Sequence, residues 1–117
     1  MSHTRLRVIG AGSLAFGETR AFELERAGQR LPAFLIRHRE GLFAYENRCP
    51  HQGVDLDMGD ERFYAEEIDR IYCKSHGAVF RVADGVCDWG PCIGEALTPL
   101  AVEPEGDDAW VSWKSEP

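Results

Sequence analysis

Cys49-Pro50-His51 and Cys73-Lys74-Ser75-His76-Gly77 are the two short stretches that decide how this chain is read. Each supplies one thiol and one imidazole, in the order C-x-H and then C-x2-H, and 21 residues separate His51 from Cys73. Two Cys with two His make either a zinc site or a [2Fe–2S] cluster in which imidazoles replace the thiolates on one iron. Zinc fingers and ribbons usually open on a C-x2-4-C knuckle that draws both thiolates from one turn. Here each stretch mixes the two ligand types, an arrangement in which two loops grip one binuclear unit from opposite sides. The order favours iron and sulfide over zinc, and it makes Cys49, His51, Cys73 and His76 the candidate metal ligands.

The 117 residues around them suffice for one domain with a core and are too few for two ordinary ones. A hydrophobic fraction of 44% and an aromatic fraction of 10% are those of a globular chain. The apolar runs are short, so no membrane span is expected. Met1-Ser2-His3-Thr4-Arg5 leads into a strand-like segment rather than the apolar centre of a secretory signal, and a cytoplasmic location is expected. Two disulfides among the four cysteines would need an oxidising compartment, to which the sequence shows no route. A formal charge of −7, from 20 acids and 13 bases, argues against free nucleic acid as a partner. Acidic residues concentrate between the ligand stretches: Asp55, Asp57, Asp60, Glu61, Glu66, Glu67 and Asp69, against Arg62 and Arg70. A solvated surface accounts for most of that run, and the alternative is a negative patch steering the basic face of a redox partner.

Patterning gives the scaffold. Residues 5–10 and 19–25 alternate polar and apolar, as half-buried strands do. Residues 10–17 hold three glycines and read as a loop, and 26–29 as a turn into the apolar run 31–36. The polar connection 37–41 puts His38 on an exposed turn before Leu42-Phe43-Ala44-Tyr45, giving four strands in the first 46 residues. Residues 68–73 and 78–82 read as strands around the second ligand stretch, with Asp84-Gly85 as a tight turn. Residues 62–69 fit a helical turn or a strand, and 97–103 with 109–113 form a last hairpin across 104–108. Short strands at regular spacing argue for an all-β, antiparallel sandwich or barrel. Trp110 and Trp113 are expected in the core or on the sheet face, and His3 at a free terminus.

Three segments carry a family resemblance. Asn47-Arg48-Cys49-Pro50-His51-Gln52-Gly53 and Cys73-Lys74-Ser75-His76-Gly77-Ala78-Val79-Phe80 resemble the two ligand boxes of the Rieske family. Asp84-Gly85-Val86-Cys87-Asp88-Trp89-Gly90-Pro91-Cys92 resembles the Gly-Pro loop that covers the cluster there, although Lys74 stands where the family commonly has Pro. The closest likeness is to small standalone Rieske-type ferredoxins. It implies a single domain, 1–117, with an antiparallel β-sandwich base (4–46 and 93–115) and a smaller inserted [2Fe–2S] cluster-binding subdomain (47–92). Cys49 and Cys73 would hold one iron, and His51 and His76 the other through Nδ1.

The implied function is that of an electron carrier without catalytic residues. Single electrons would come from a flavin- or NAD(P)H-dependent reductase and pass to a terminal oxygenase or similar enzyme. High-potential members carry Ser and Tyr where this chain has Ala78 and Phe80, so the resemblance implies the low end of the family's range, roughly −150 mV or somewhat above. Respiratory members clasp their two ligand loops with a disulfide, and the matching positions here are Val54 and Ser75. Gly53 and Gly77 would let backbone N–H groups approach the sulfides. Gly90-Pro91 would form a lid, Trp89 would shield the cluster from water, and Cys87 and Cys92 are expected as small buried residues. A complete oxygenase would need a mononuclear iron with two further His ligands, and only His3 and His38 are left over. Two other readings stay open: a small subunit of a larger reductase, like that of assimilatory nitrite reductase, and a zinc-binding interaction module on the same four ligands.

Overall fold

The structure, a computed structural model, describes residues 5–39, 41–50, 55–57, 62–74 and 77–114. Its first half is built on the apolar run that begins at Leu31. Successive side chains of a strand point to opposite faces, so a strand buried on both sides reads as a continuous run. In β3 (Gln29–His38), Ala33 and Leu35 enter one core while Phe34 and Ile36 enter another. β4 (Gly41–Glu46) does the same with Ala44 and Tyr45.

The first core belongs to a six-stranded sheet. Its order is β1 (Arg5–Val8), β10 (Asp108–Trp113), β9 (Pro99–Glu105), β4, β3 and β2 (Thr19–Arg26), all antiparallel. Val8, Leu24, Ala33, Leu35, Ala44, Leu100, Ala109 and Val111 all meet there, so the sheet curls until every strand contributes. The second core lies between β3–β4 and a four-stranded sheet of β5 (Tyr64–Ala65), β6 (Arg70–Tyr72), β7 (Val79–Phe80) and β8 (Cys87–Trp89). Phe34 and Phe63 join the two sheets there, their rings stacked with centroids 4.1 Å apart. No helix among the described residues is long and apolar enough to cross a membrane.

The four strands expected in the first 46 residues are present, and β2 turns into β3 through Ala27-Gly28, both at positive φ (53° and 81°). Such a pair is what a two-residue hairpin needs, because the strand twist then matches across the turn. The last hairpin is tighter than expected. Glu105 already pairs with Asp108, and Pro104 lies inside β9 opposite Ala109. Beyond Leu100, β9 is bonded only to β10, so a residue without an N–H fits there. β6 starts at Arg70 rather than 68, because residues 66–69 close a turn in which Asp69 is left-handed (φ 56°). The ambiguous stretch 62–69 divides between the two readings: Tyr64–Ala65 is strand, and 66–69 is a hydrogen-bonded turn. Cys87–Trp89, read above as loop, is a three-residue edge strand paired to β7 across an irregular register. Its shortness, between Gly85 and Gly90, leaves no alternation to detect.

Candidate metal centre

The first ligand loop leaves β4 and is closed at its neck by Asn47. The buried Asn47 Nδ2 donates to Asp57 Oδ1 (3.1 Å), and its Oδ1 accepts the Leu56 N–H (2.7 Å). Its own backbone N–H bonds to the Pro32 carbonyl at 2.9 Å, anchoring the loop to β3. Asn47 and Asp57 were not singled out as site residues from the sequence. Asp57 is buried as a polar partner inside the loop, so it does not belong to the solvated acidic surface.

The second loop follows β6. The Cys73 N–H donates to the Ala78 carbonyl (2.8 Å), and the Gly77 N–H donates to the Cys73 carbonyl (2.9 Å). Gly77 takes φ 75°, which its missing side chain permits. Its own N–H is committed to the Cys73 carbonyl. The Lys74 N–H donates to the Leu56 carbonyl at 3.0 Å and ties the second loop to the first.

Cys49 and Cys73 are both fully buried, neither is in a disulfide, and both lie in the core of the small sheet. Two unbridged thiols on two adjoining loops fit the cysteine half of a two-Cys, two-His [2Fe–2S] site. His51 and His76 lie outside the described residues, as do Gln52, Gly53, Val54 and Ser75. Among the described residues no three His, Cys, Asp or Glu gather in a metal-holding group.

The third loop presses on the second. Gly90 has φ 108°, and a Cβ there would fall 2.8 Å from the Ala78 Cα. Trp89 is 64% exposed, with its ring edge beside Gly77 on the second loop. Ala78 and Phe80 are fully buried and bring no hydroxyl into this core. Cys87 and Cys92 are buried as expected, with the Cys92 thiol directed at the Cys87 sulfur 3.1 Å away. Burial, and then the Cys87 neighbour, pushes the Cys92 thiol up to about 12.

One further constellation links the two sheets. His38 is not on an exposed turn; it ends β3 with a side chain 12% exposed and its Nε2 2.7 Å from Asp69 Oδ1. Arg39 donates to the other Asp69 oxygen at 2.7 Å, and the Tyr64 hydroxyl also donates to the carboxylate. Phe16 stacks on the His38 ring, centroids 5.2 Å apart. Hydrogen bonds from Tyr64, then His38 and Arg39, hold the Asp69 carboxyl well below the usual carboxylate range. Burial, with the Asp69 bond second, pushes Tyr64 up to about 12. Asp69 is therefore committed to this junction rather than to a steering patch.

Residues 5–103 match the family described as Rieske [2Fe-2S] domain. The ferredoxin of carbazole 1,9a-dioxygenase from Nocardioides aromaticivorans IC177 is 29% identical, with a TM-score of 0.71 over 95% of this chain and 99% of that one. A chain in the complex of reduced oxygenase and oxidized ferredoxin in carbazole 1,9a-dioxygenase is 25% identical, with a TM-score of 0.72 over 99% of each chain. Oxidoreductase NdmD of Pseudomonas putida is 34% identical over 58 residues, which span 50% of this chain and 9% of that protein.

Proposed function

Because the chain belongs to the Rieske [2Fe-2S] family, we propose that it is a Rieske-type ferredoxin, a carrier of single electrons to a terminal oxygenase or similar enzyme. The observation that carries this reading is the pair of fully buried cysteines, Cys49 and Cys73, neither in a disulfide, on two loops joined by the Lys74–Leu56 hydrogen bond. The ligands are Cys49, His51, Cys73 and His76, and residues 47–92 form the cluster-binding part on a base of 4–46 and 93–115. The small sheet β5–β8 supports that division.

Once bound, the [2Fe–2S] group supplies a site for one electron at a potential set by its ligands and their surroundings. The protein's part is positional. Cys49 and Cys73 would hold one iron as thiolates. Asn47, through Leu56, Asp57 and Pro32, holds the first loop to the base. Ala78 and Phe80 keep water and hydroxyl donors from the second loop's buried side. The donor is a flavin- or NAD(P)H-dependent reductase, and the setting is the cytoplasm. The similarity to ferredoxins of oxygenase systems supports the acceptor assignment.

The test is metal analysis with absorption and EPR spectra of anaerobically purified protein before and after dithionite. Two irons per chain and a rhombic signal on reduction are expected. Stoichiometric zinc in a colourless protein, with no signal after cluster reconstitution, overturns the reading.

A further inference from the structure

The third loop holds two cysteines that the electron-carrier reading leaves unused. Cys87 opens β8, and Cys92 follows the Gly90-Pro91 turn. Backbone bonds fold the turn back on itself: the Cys87 N–H donates to Glu95 O (2.8 Å), Gly94 N–H to Cys87 O (3.3 Å) and Glu95 N–H to Cys92 O (2.9 Å). That closure delivers the Cys92 sulfur to 3.1 Å from the Cys87 sulfur, with both thiols free. A covalent bridge needs roughly 2.05 Å. The sulfurs therefore have only a short step to make inside a turn that is already closed.

We propose that Cys87 and Cys92 form a reversible dithiol–disulfide site, oxidised by hydrogen peroxide, that locks the loop lying over the second ligand loop. The first sulfur attacks a peroxide oxygen and the O–O bond breaks, leaving a sulfenic acid and one water; the second sulfur attacks the first, the S–O bond breaks, and the hydroxyl leaves with the thiol proton as a second water as the disulfide forms. The sulfurs lose two electrons and the peroxide gains them, and a dithiol reductant reverses the change by exchange. Contact between the sulfurs directs the sulfenic acid to its neighbour before further oxidation can occur. Burial keeps both thiols from bulky disulfides and keeps the Cys92 thiol neutral, so the pair responds slowly and to a small neutral oxidant. The ring formed would enclose Asp88, Trp89, Gly90 and Pro91, and Gly90 is the residue that meets Ala78. The consequence is a stiffer lid rather than a new electron path. Iron binding is not a premise of this site.

The experiment uses the holoprotein, graded hydrogen peroxide, an acid quench and N-ethylmaleimide in denaturant, followed by tryptic mass spectrometry. Trypsin places the cysteines on separate peptides: residues 49–62 hold Cys49, 71–74 hold Cys73, and 82–114 hold both Cys87 and Cys92. Peptide 82–114 is expected to appear unalkylated and two hydrogens lighter, as a monomer, before the other two lose their alkylation. Dithiothreitol should restore double alkylation, and the visible absorbance should persist throughout. A doubly alkylated or sulfinic peptide 82–114, at peroxide levels that already oxidise Cys49 or Cys73, overturns the proposal. Cys87→Ser should abolish the two-hydrogen loss, and the unsubstituted protein decides the matter even where that variant fails to fold. Because absorbance is read separately from thiol state, failure here is distinct from failure of the electron-carrier assignment.

Discussion

At residue scale, the chemistry around the candidate ligands turns on groups that are missing. Ala78 and Phe80 sit fully buried beside Cys73, with the Ala78 carbonyl bonded to the Cys73 N–H. On the proposed reading, a hydroxyl introduced there is a new donor in the core that holds Cys73, and a donor to sulfur eases reduction by stabilising negative charge. Ala78→Ser with Phe80→Tyr should therefore raise the midpoint above its expected place near the low end, about −150 mV. Voltammetry giving an unchanged or lowered midpoint would sink that explanation. Gly90 is constrained from both sides: its left-handed φ of 108° disfavours a side chain, and a Cβ would come 2.8 Å from the Ala78 Cα, which is backbone and cannot swing aside. Gly90→Ala should cost about 2 kcal/mol, seen as a lower denaturant midpoint and faster bleaching of the bound cluster. Wild-type values for both would show that the third loop yields freely. The candidate ligands were legible because chemistry-bearing residue types occur at short spacing. Asn47 and Asp57 were not, since a buried amide–carboxylate pair looks in sequence like any polar loop residues.

At the scale of elements, the junction of the β3–β4 turn with the β5–β6 turn has a defined pH signature. The Asp69 carboxyl, ordinarily near 3.8, is lowered in the folded protein by the Tyr64, His38 and Arg39 bonds. Its contribution is fully present above the unfolded value and is lost as pH falls through the folded one. Asp69→Asn keeps a residue tolerant of left-handed backbone, so it removes the charge without adding strain. The variant should be less stable than wild type at pH 7 by about 1–2 kcal/mol. That gap should begin to shrink below about pH 4 and go on shrinking to the lowest pH at which wild type still folds, read from urea melts. A gap that stays constant over that window would mean the carboxylate charge contributes nothing. Periodicity found the strands but missed this junction, because His38 and Asp69 are 31 residues apart and each stands among other charged residues. The same locality explains β8: three residues ending in exposed Asp88 and Trp89 give no alternation, and only pairing with β7 makes them strand.

At the scale of the whole molecule, β3 and β4 divide the interior into two cores that should depend differently on the cofactor. The core of the curled sheet draws on Val8, Leu24, Leu35, Leu100 and Val111 and contains no cysteine. The other holds all four cysteines with Phe34, Phe63, Ile71 and Phe80. It is lined on one side by strands of only two or three residues. Strands that short do not persist by pairing alone and need tertiary anchors. On the proposed reading the anchors are Cys49 and Cys73, each bonded to iron from its own loop, so loading adds folding free energy to one core and little to the other. Stripping the iron with acid and chelator, then returning to neutral pH, should leave a protein that unfolds in parts. Amides of β6, β7 and β8 should then exchange hydrogen at rates near those of an unfolded chain. Amides of β2, β3, β9 and β10 should keep most of their protection, because their core is complete without metal. Equal loss of protection in both sheets would show one cooperative unit. The shared strands would then transmit the loss across the molecule, since the Phe34 and Ile36 faces of β3 cannot loosen without disturbing Ala33 and Leu35 on the other.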